Sequence, residues 1–161
     1  MNPNSFDEAA ALETFEQFLF EMDQRVEALQ EAAVARGFTL DMTVGSLNDL
    51  EAFLEEVSRA TPPAIDMESL NVLGGRYLGE VVCAQYGGKW ELPLSDRSSV
   101  NFNQPVIVGH SDAGAEFAPI SVAGAFLKKN NADCLRGLYR DKSRQPKSIS
   151  RTLSVRRRGS D

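Results

Sequence analysis

Residues 70–90 read LNVLGGRYLGEVVCAQYGGKW, and this stretch decides the fold. The apolar side chains of its first part recur at helical spacing and predict one face of a helix that begins near Asp66: Leu70, Leu73, Tyr77 and Val81. Gly87 and Gly88 predict the end of that helix. After them the apolar period changes to two, which is typical of a strand. A helix followed directly by a strand indicates a mixed α+β domain.

The predicted helix contains three glycines within six positions, Gly74, Gly75 and Gly79. Each glycine costs roughly 1 kcal/mol relative to alanine inside a helix, so a packing reason is needed. We expect this helix to lie in close contact with the backbone of another element. The charged residues Arg76 and Glu80 favour a crossing of two helices in water over one in a membrane.

The N-terminal residues 1–37 predict one long helix. A capping box at Ser5–Glu8 begins it, and Gly37 supplies a left-handed stop. Its apolar seam alternates spacings of three and four: Leu12, Phe15, Leu19, Met22, Val26, Leu29 and Ala33. We expect this seam to pack within the chain. Phe18 and Phe20 lie outside it and widen the apolar face, which leaves area for a dimer or a partner.

The remaining elements complete an α+β, mainly α fold with four to five helices and a small antiparallel sheet of two or three strands. Ser46–Asp49 repeats the capping pattern before a second amphipathic helix, which residues 61–63 (Thr-Pro-Pro) end. Residues 105–108 (Pro-Val-Ile-Val) predict the second strand. Pro119 predicts the start of another helix, and Asp133 that of a last short one.

Charge divides the chain into separate regions. Residues 1–68 carry 15 acidic and 3 basic side chains, whereas residues 140–161 carry 8 basic and 2 acidic ones. We predict one globular domain over 1–139, with residues 40–139 as its core unit, and a basic disordered tail over 140–161. We interpret the tail first as a solvated segment, with weak, non-specific nucleic-acid contact or attraction to the acidic front half as the alternatives. It has no aromatic residues to stack on bases.

Other sequence signals indicate location and redox state. No apolar run approaches the roughly 18 residues that span a bilayer, and the start lacks a basic and then apolar leader, so we expect a cytoplasmic protein without membrane contact. Cys83 and Cys134 lie far apart with no Cys-x-x-Cys spacing. They predict buried free thiols and neither a zinc site nor a redox pair.

The best catalytic candidate is the loop His110-Ser111-Asp112, where a histidine adjoins a carboxylate. It is a weak signal, because His110 is the only histidine and no Gly-x-Ser-x-Gly surrounds a serine. A metal site would need His110 and Asp112 with distant carboxylates such as Glu80 or Glu116, which matches no known ligand spacing. The sequence thus predicts no catalytic, cofactor or metal site, and a protein that is not an enzyme.

Residues 75–80 (GRYLGE) and 87–90 (GGKW) form the pattern G-x-Y-x-G-E, then G-G-x-W. The pattern resembles a small, largely uncharacterised bacterial domain family, and the resemblance covers Leu40 to Tyr139. Domains of this kind look like the immunity proteins that neutralise bacterial toxins, so the resemblance implies a binding function. A structural interpretation of the same residues is favoured: Tyr77 and Trp90 fill a core, and Glu80 bonds backbone amides or pairs with Arg76.

Two functional hypotheses follow. The first is a non-enzymatic immunity or antitoxin-like protein that neutralises a cytosol-acting toxin, such as a basic nuclease or another effector. Its acidic helical surface would bind the toxin through carboxylates expected on exposed helix faces: Glu13, Glu16, Glu27, Asp49, Glu51, Glu55 and Glu56. The alternative is a regulatory or scaffolding protein that forms a homodimer through the N-terminal helix. A small hydrolase or transferase is less favoured and would need His110 or Glu80 in a cleft.

Overall fold

A computed structural model describes residues 5–129, which form five α-helices, one 3₁₀ turn and a two-stranded antiparallel sheet. The predicted α+β, mainly α class is confirmed. The predicted last helix at Asp133, Cys134 and the basic tail lie outside the described residues. In chain order the elements are α1 (Glu8–Phe20), α2 (Met22–Ala35), the 3₁₀ turn (Val44–Ser46), α3 (Leu47–Ser58), α4 (Met67–Tyr86), β1 (Lys89–Glu91), β2 (Val106–Val108) and α5 (Pro119–Lys129).

Helix α4 lies at the centre of the domain, since every residue from Gly74 to Gly79 is buried. Helix α5 packs against it where the glycines remove side-chain bulk. A Cβ atom on Gly75 would lie 2.6 Å from the Cα atom of Ile120, so the predicted close approach of a backbone is confirmed there. Gly79 serves a different purpose, because the space beside it is filled by the indole ring of Trp90.

The other side of α4 holds the connection between α2 and α3. The Tyr77 hydroxyl is fully buried, accepts a hydrogen bond from the Met42 amide at 2.9 Å and shares one with Ser46 Oγ at 2.7 Å. Gln85 donates from Nε2 to the Met42 carbonyl at 3.0 Å. Two side chains of α4 therefore fix the position of the 3₁₀ turn, and with it the start of α3.

The single long N-terminal helix expected from the sequence is wrong, because α1 ends at Phe20 and α2 begins at Met22, with Glu21 as the cap residue of both. The Phe18 carbonyl accepts a hydrogen bond from Arg76 Nη1 at 2.5 Å, in the place that the Met22 amide would take in a continuous helix. The buried side chains nevertheless keep helical phase across the break: Phe18, Met22, Val26, Leu29 and Ala33.

The predicted seam is also corrected in α1. Leu12 and Leu19 are 42% and 39% exposed, whereas Phe18, which the sequence placed outside the seam, is 8% exposed. The ring of Phe18 packs edge-on against Trp90, with 5.1 Å between ring centroids. Phe18 is buried because α4 and β1 offer it an aromatic and cationic setting, which the periodicity of α1 alone does not show.

The predicted start signals of two helices are corrected as well. Asp7, not Ser5, caps α1, and its Oδ1 accepts from the Ala10 amide at 3.0 Å. An ionised carboxylate at a helix N-terminus also benefits from the helix dipole. At α3 the side chain of Ser46 makes no cap bond, because Ser46 Oγ is engaged by the Thr43 carbonyl and the Tyr77 hydroxyl.

The two-stranded sheet pairs Trp90 with Ile107 at its centre. On its other side Ile107 exchanges two backbone hydrogen bonds with Phe117, which extends the sheet by one isolated bridge. The predicted ends of the flanking helices are confirmed, since Gly87 follows α4 with a φ of 77° and Pro119 begins α5. Within residues 5–129 no helix is both long and apolar enough to cross a bilayer.

Candidate functional site

The residues of the G-x-Y-x-G-E pattern, 75–80 in α4, form contacts that join α4 to neighbouring helices and strands. Glu80 Oε1 accepts a hydrogen bond from Trp90 Nε1 at 2.7 Å, so the expectation that Glu80 binds backbone amides or Arg76 is wrong. The reason is geometric: Gly79 admits the indole ring beside α4, which brings Nε1 to the next residue, Glu80. This bond ties β1 to α4.

Arg76 has its own partners at the break between α1 and α2. Its guanidinium lies over the Phe18 ring, donates to the Phe18 carbonyl, and its Nη2 lies 3.8 Å from Glu21 Oε2. Burial lowers the pKa of Arg76, and the negative charge of Glu21 opposes this effect. Tyr77, Gly79, Glu80 and Arg76 all have packing or hydrogen-bonding roles, which supports the structural interpretation of the pattern.

The candidate catalytic loop is partly enclosed. His110 is 2% exposed and its ring lies 6.1 Å from that of Phe117, whereas Asp112 is exposed. In the described part of the chain, no three His, Cys, Asp or Glu side chains lie close enough together to hold a metal ion. Cys83 is half-buried, and burial together with the charge of Glu80 raises the pKa of its thiol to about 11.

An open groove of about 820 Å³ runs between α1 and α4 and is bordered by the chain between β1 and β2 and by the start of α5. Its lining includes the rings of Phe6, Phe15 and Phe18 and the side chain of Ile120. Arg76 is the one cation of this lining, and its contacts with Phe18 and Glu21 already engage it. The groove presents apolar surface together with three carboxylates, Asp7, Glu13 and Glu21. Asp7 caps α1, and Glu21 pairs with Arg25 and Arg76.

Two of the predicted binding carboxylates serve the structure of α3. Glu51 is only 7% exposed, so its expected position on an exposed face is wrong. It lies on the helix face that also carries Leu47 and Leu54, both fully buried. Asp49 accepts a hydrogen bond from the Thr39 amide at 2.7 Å and thereby fixes the connection from α2.

The other two carboxylates of α3 form ion pairs. Glu55 pairs with Arg59 at 2.6 Å, and Glu56 pairs with Arg36 at 2.9 Å. Arg36 follows α2, so the second pair joins α2 to α3. Because of these contacts, fewer carboxylates of α3 are available to bind a partner than its sequence indicates.

Glu13, Glu16 and Glu27 belong to a different surface. They are exposed, and they share a row with four further exposed side chains, spaced by three or four residues on the side of α1 and α2 away from the buried row. We call this row the acidic stripe: Glu13, Glu16, Phe20, Asp23, Glu27, Glu31 and Val34. Because α1 and α2 keep their helical phase across Glu21, the acidic stripe extends over both helices, roughly 30 Å.

The acidic stripe has no cationic counterpart among residues 5–128. Arg25, on the same two helices, lies outside the stripe and pairs with Glu21 at 3.2 Å. No lysine or arginine nitrogen of the described residues lies within 4.0 Å of a stripe carboxylate. Asp23, Glu27 and Glu31 follow each other at four-residue spacing, which places like charges one turn apart and destabilises the helix.

Two large apolar side chains lie within this charged surface. Phe20 is 84% exposed and Val34 is 66% exposed. The sequence places Phe20 outside the seam, but the predicted binding surface did not include four members of the stripe: Phe20, Asp23, Glu31 and Val34. The signal was present, since the three-and-four spacing used for the seam also exists on the opposite side of the helix.

Comparisons with known proteins found no matching family model, no matching characterised protein and no matching solved structure.

Proposed function

We propose that this chain is a non-enzymatic immunity or antitoxin-like protein that neutralises a cytosol-acting toxin with a basic surface. The acidic stripe on α1 and α2 carries the proposal. It consists of five exposed carboxylates with no cation of the described residues within ion-pair distance, interrupted by the exposed ring of Phe20. The cost of aligning like charges in α2 is offset if a cationic partner binds them.

The physical effect of such a surface is mainly on association. A row of one charge sign attracts a basic partner over distances of about a Debye length, which raises the association rate and orients the encounter. A toxin that acts on nucleic acid needs a basic cleft, and an acidic stripe that occupies this cleft excludes the substrate.

Phe20 supplies apolar contact area, which the carboxylates of the stripe do not provide. Exposed aromatic side chains at the centre of an interface often contribute most of the binding energy, because they fill apolar pockets and displace water. Glu16 precedes Phe20 by one helical turn and Asp23 follows it by three residues, so the ring lies between carboxylates. We expect the partner to present an apolar pocket bordered by lysine or arginine.

The proposal narrows the set of binding residues. Glu13, Glu16 and Glu27 remain in it, together with Phe20, Asp23 and Glu31. The four α3 carboxylates are left out because their contacts with Thr39, Arg36 and Arg59 or their burial explain them.

The test measures, for the wild type and for charge-reversed variants, binding to and protection against any toxin encoded next to the gene of this chain in its native host. Glu16→Lys with Glu27→Lys should weaken binding by about a hundredfold or more, since each close charge pair contributes on the order of 1.5 kcal/mol or more. The matched control, Glu91→Lys with Asp112→Lys, changes the net charge equally outside the stripe. The proposal fails if the wild-type chain neither binds nor protects, or if both double variants lose affinity equally.

Self-association through α1 is a second candidate function, favoured by the exposed apolar side chains of that helix. Phe20, Leu12 and Leu19 are 84%, 42% and 39% exposed. Light scattering at high micromolar concentration and in high salt, which screens the acidic stripe, should show a dimer that Phe20→Asp abolishes. A monomer under all these conditions removes this candidate.

A further inference from the structure

The basic segment 140–161 has no role in the proposed function, yet its composition matches the acidic stripe in two respects. It contains eight basic and two acidic residues. Its apolar residues Ile149, Leu153 and Val155 are interspersed with Arg151 and followed by residues 156–158, all arginine. The segment thus combines positive charge with aliphatic side chains, and the stripe combines negative charge with Phe20 and Val34.

The stripe is the surface in the described part of the chain where this combination fits. It is an exposed face of two helices with apolar side chains and carboxylates, and no cationic nitrogen of residues 5–128 lies within 4.0 Å of those carboxylates. The arginines of the first 68 residues, Arg25, Arg36 and Arg59, each pair with a glutamate and do not compensate it.

The point at which the described chain ends favours contact with α2. Helix α5 runs antiparallel to α4, since Pro119 adjoins Gly79 and Gly124 adjoins Asn71. The end of α5 is therefore directed toward the start of α4. The first turn of α2 lies beside this same half of α4, because Glu21 lines a shared cleft with Glu68.

The length of chain after α5 is sufficient to reach the stripe. Ten residues, 130–139, separate the described part from the basic segment, and ten extended residues span at most about 33–36 Å. A domain of this size has a radius of gyration of about 14 Å. A tethered segment within reach acts at an effective concentration on the order of millimolar, so modest affinity suffices to occupy the surface.

We propose that residues 140–161 bind the acidic stripe of the same chain and occupy it until a basic partner displaces them. The contact itself does not depend on the proposed function. Its regulatory consequence, a tail that competes with the toxin, rests on that function.

The test uses the full chain and NMR spectra of its backbone amides in the absence of any partner. In the tail variant, Arg151, Arg156, Arg157 and Arg158 are replaced by Gln. We expect its amide shifts to differ from the wild type at Glu16, Phe20, Asp23, Glu27 and Glu31, and not at the control positions Glu91, Asp112 and Glu116. Raising the salt concentration from about 20 mM to 500 mM should reproduce these shifts in the wild type and cause clearly smaller ones in the tail variant.

The contact is overturned if wild type and tail variant have the same stripe shifts, or if the shifts spread equally over the control positions. It is also overturned if tail amides respond to a single-stranded DNA 20-mer of mixed sequence while stripe amides are insensitive to salt, since the tail is then a nucleic-acid contact. A second arm measures toxin affinity, which we expect to rise about tenfold in the tail variant. Absence of toxin binding with intact stripe shifts contradicts only the proposed function, and toxin binding without stripe shifts contradicts only the contact.

Discussion

The guanidinium carbon of Arg76 lies 4.0 Å from the centroid of the Phe18 ring, and Arg76 Nη1 donates to the carbonyl oxygen of that same residue. One side chain of α4 therefore holds both the ring and the backbone of Phe18, the buried residue of α1. This pair attaches α1 to the domain and coincides with the break at Glu21, so it decides how the acidic stripe is presented.

Removing the Arg76 side chain should destabilise the fold. Arg76→Ala leaves the Phe18 carbonyl without its donor, removes the cation–π contact and opens space beside Met22. We expect a loss of about 2–4 kcal/mol in the free energy of unfolding, measured by urea titration of Trp90 fluorescence. Arg25→Ala, which removes a 57% exposed partner of the same Glu21, is the control and should cost much less. Equal effects would contradict the role of Arg76.

A methyl group at Gly75 should disrupt the contact between α4 and α5. Its Cβ would lie 2.6 Å from the Ile120 Cα atom and 2.8 Å from the Ile120 nitrogen, and backbone atoms cannot yield as a side chain can. We expect Gly75→Ala to lower the free energy of unfolding by about 1–3 kcal/mol. Gly45→Ala is the control, because the nearest neighbouring atom of its Cβ would be Thr43 Oγ1 at 3.7 Å, an ordinary van der Waals contact. A neutral Gly75→Ala variant would show that α5 can move away at little cost.

Removing one hydroxyl should loosen the connection between α2 and α3. Tyr77→Phe deprives the Met42 amide and Ser46 Oγ of a partner at a fully buried site, and we expect a cost of about 1–3 kcal/mol. Ser46→Ala and the double variant complete a cycle that isolates the shared bond. A coupling energy near zero would mean that the two hydroxyls act independently.

Stability should fall at alkaline pH because of Cys83. Its pKa is raised to about 11 in the folded chain from an ordinary value of 9.0, so between pH 9 and 11 the unfolded chain loses this proton first. The stabilisation is complete below pH 9 and is lost as the pH rises toward 11. Burial also raises the pKa of Tyr77 above 10, which adds to the loss at still higher pH.

The measurement is the free energy of unfolding against pH under reducing conditions. Cys83→Ala should flatten the slope between pH 9 and 10, where Tyr77 contributes little. If the slope is unchanged, the Cys83 thiol is not the group responsible.

The sequence was sufficient for the elements whose signals are local. Asp66, Gly87 and Pro119 mark helix ends by their own conformational and hydrogen-bonding preferences, and the structure has helix ends at all three. The crowded glycines of α4 correctly predicted a close approach at Gly75, because only a packing contact explains their cost.

What the sequence could not predict depends on contacts between distant residues. The break at Glu21 follows from Arg76, 58 positions after Phe18, and no local signal marks it. The predicted cap of α1 was wrong because Asp7, not Ser5, binds a free amide of the first turn. The predicted cap of α3 was wrong because the Thr43 carbonyl and the Tyr77 hydroxyl engage Ser46 Oγ. Glu51 is buried because of the way α3 is oriented against the core. The spacing of the leucines in α3 does not predict this orientation until the rest of the core is known.

Because α1 and α2 keep the same helical phase across Glu21, the number of residues in this region matters as much for the fold as their identity. Deleting or inserting one residue between Phe20 and Met22 turns α1 by about 100° relative to α2. Phe18 would then leave its contact with Arg76, or Glu13 and Glu16 would leave the line formed by Glu27 and Glu31. We therefore expect the fold to tolerate a substitution at this break better than an insertion or a deletion.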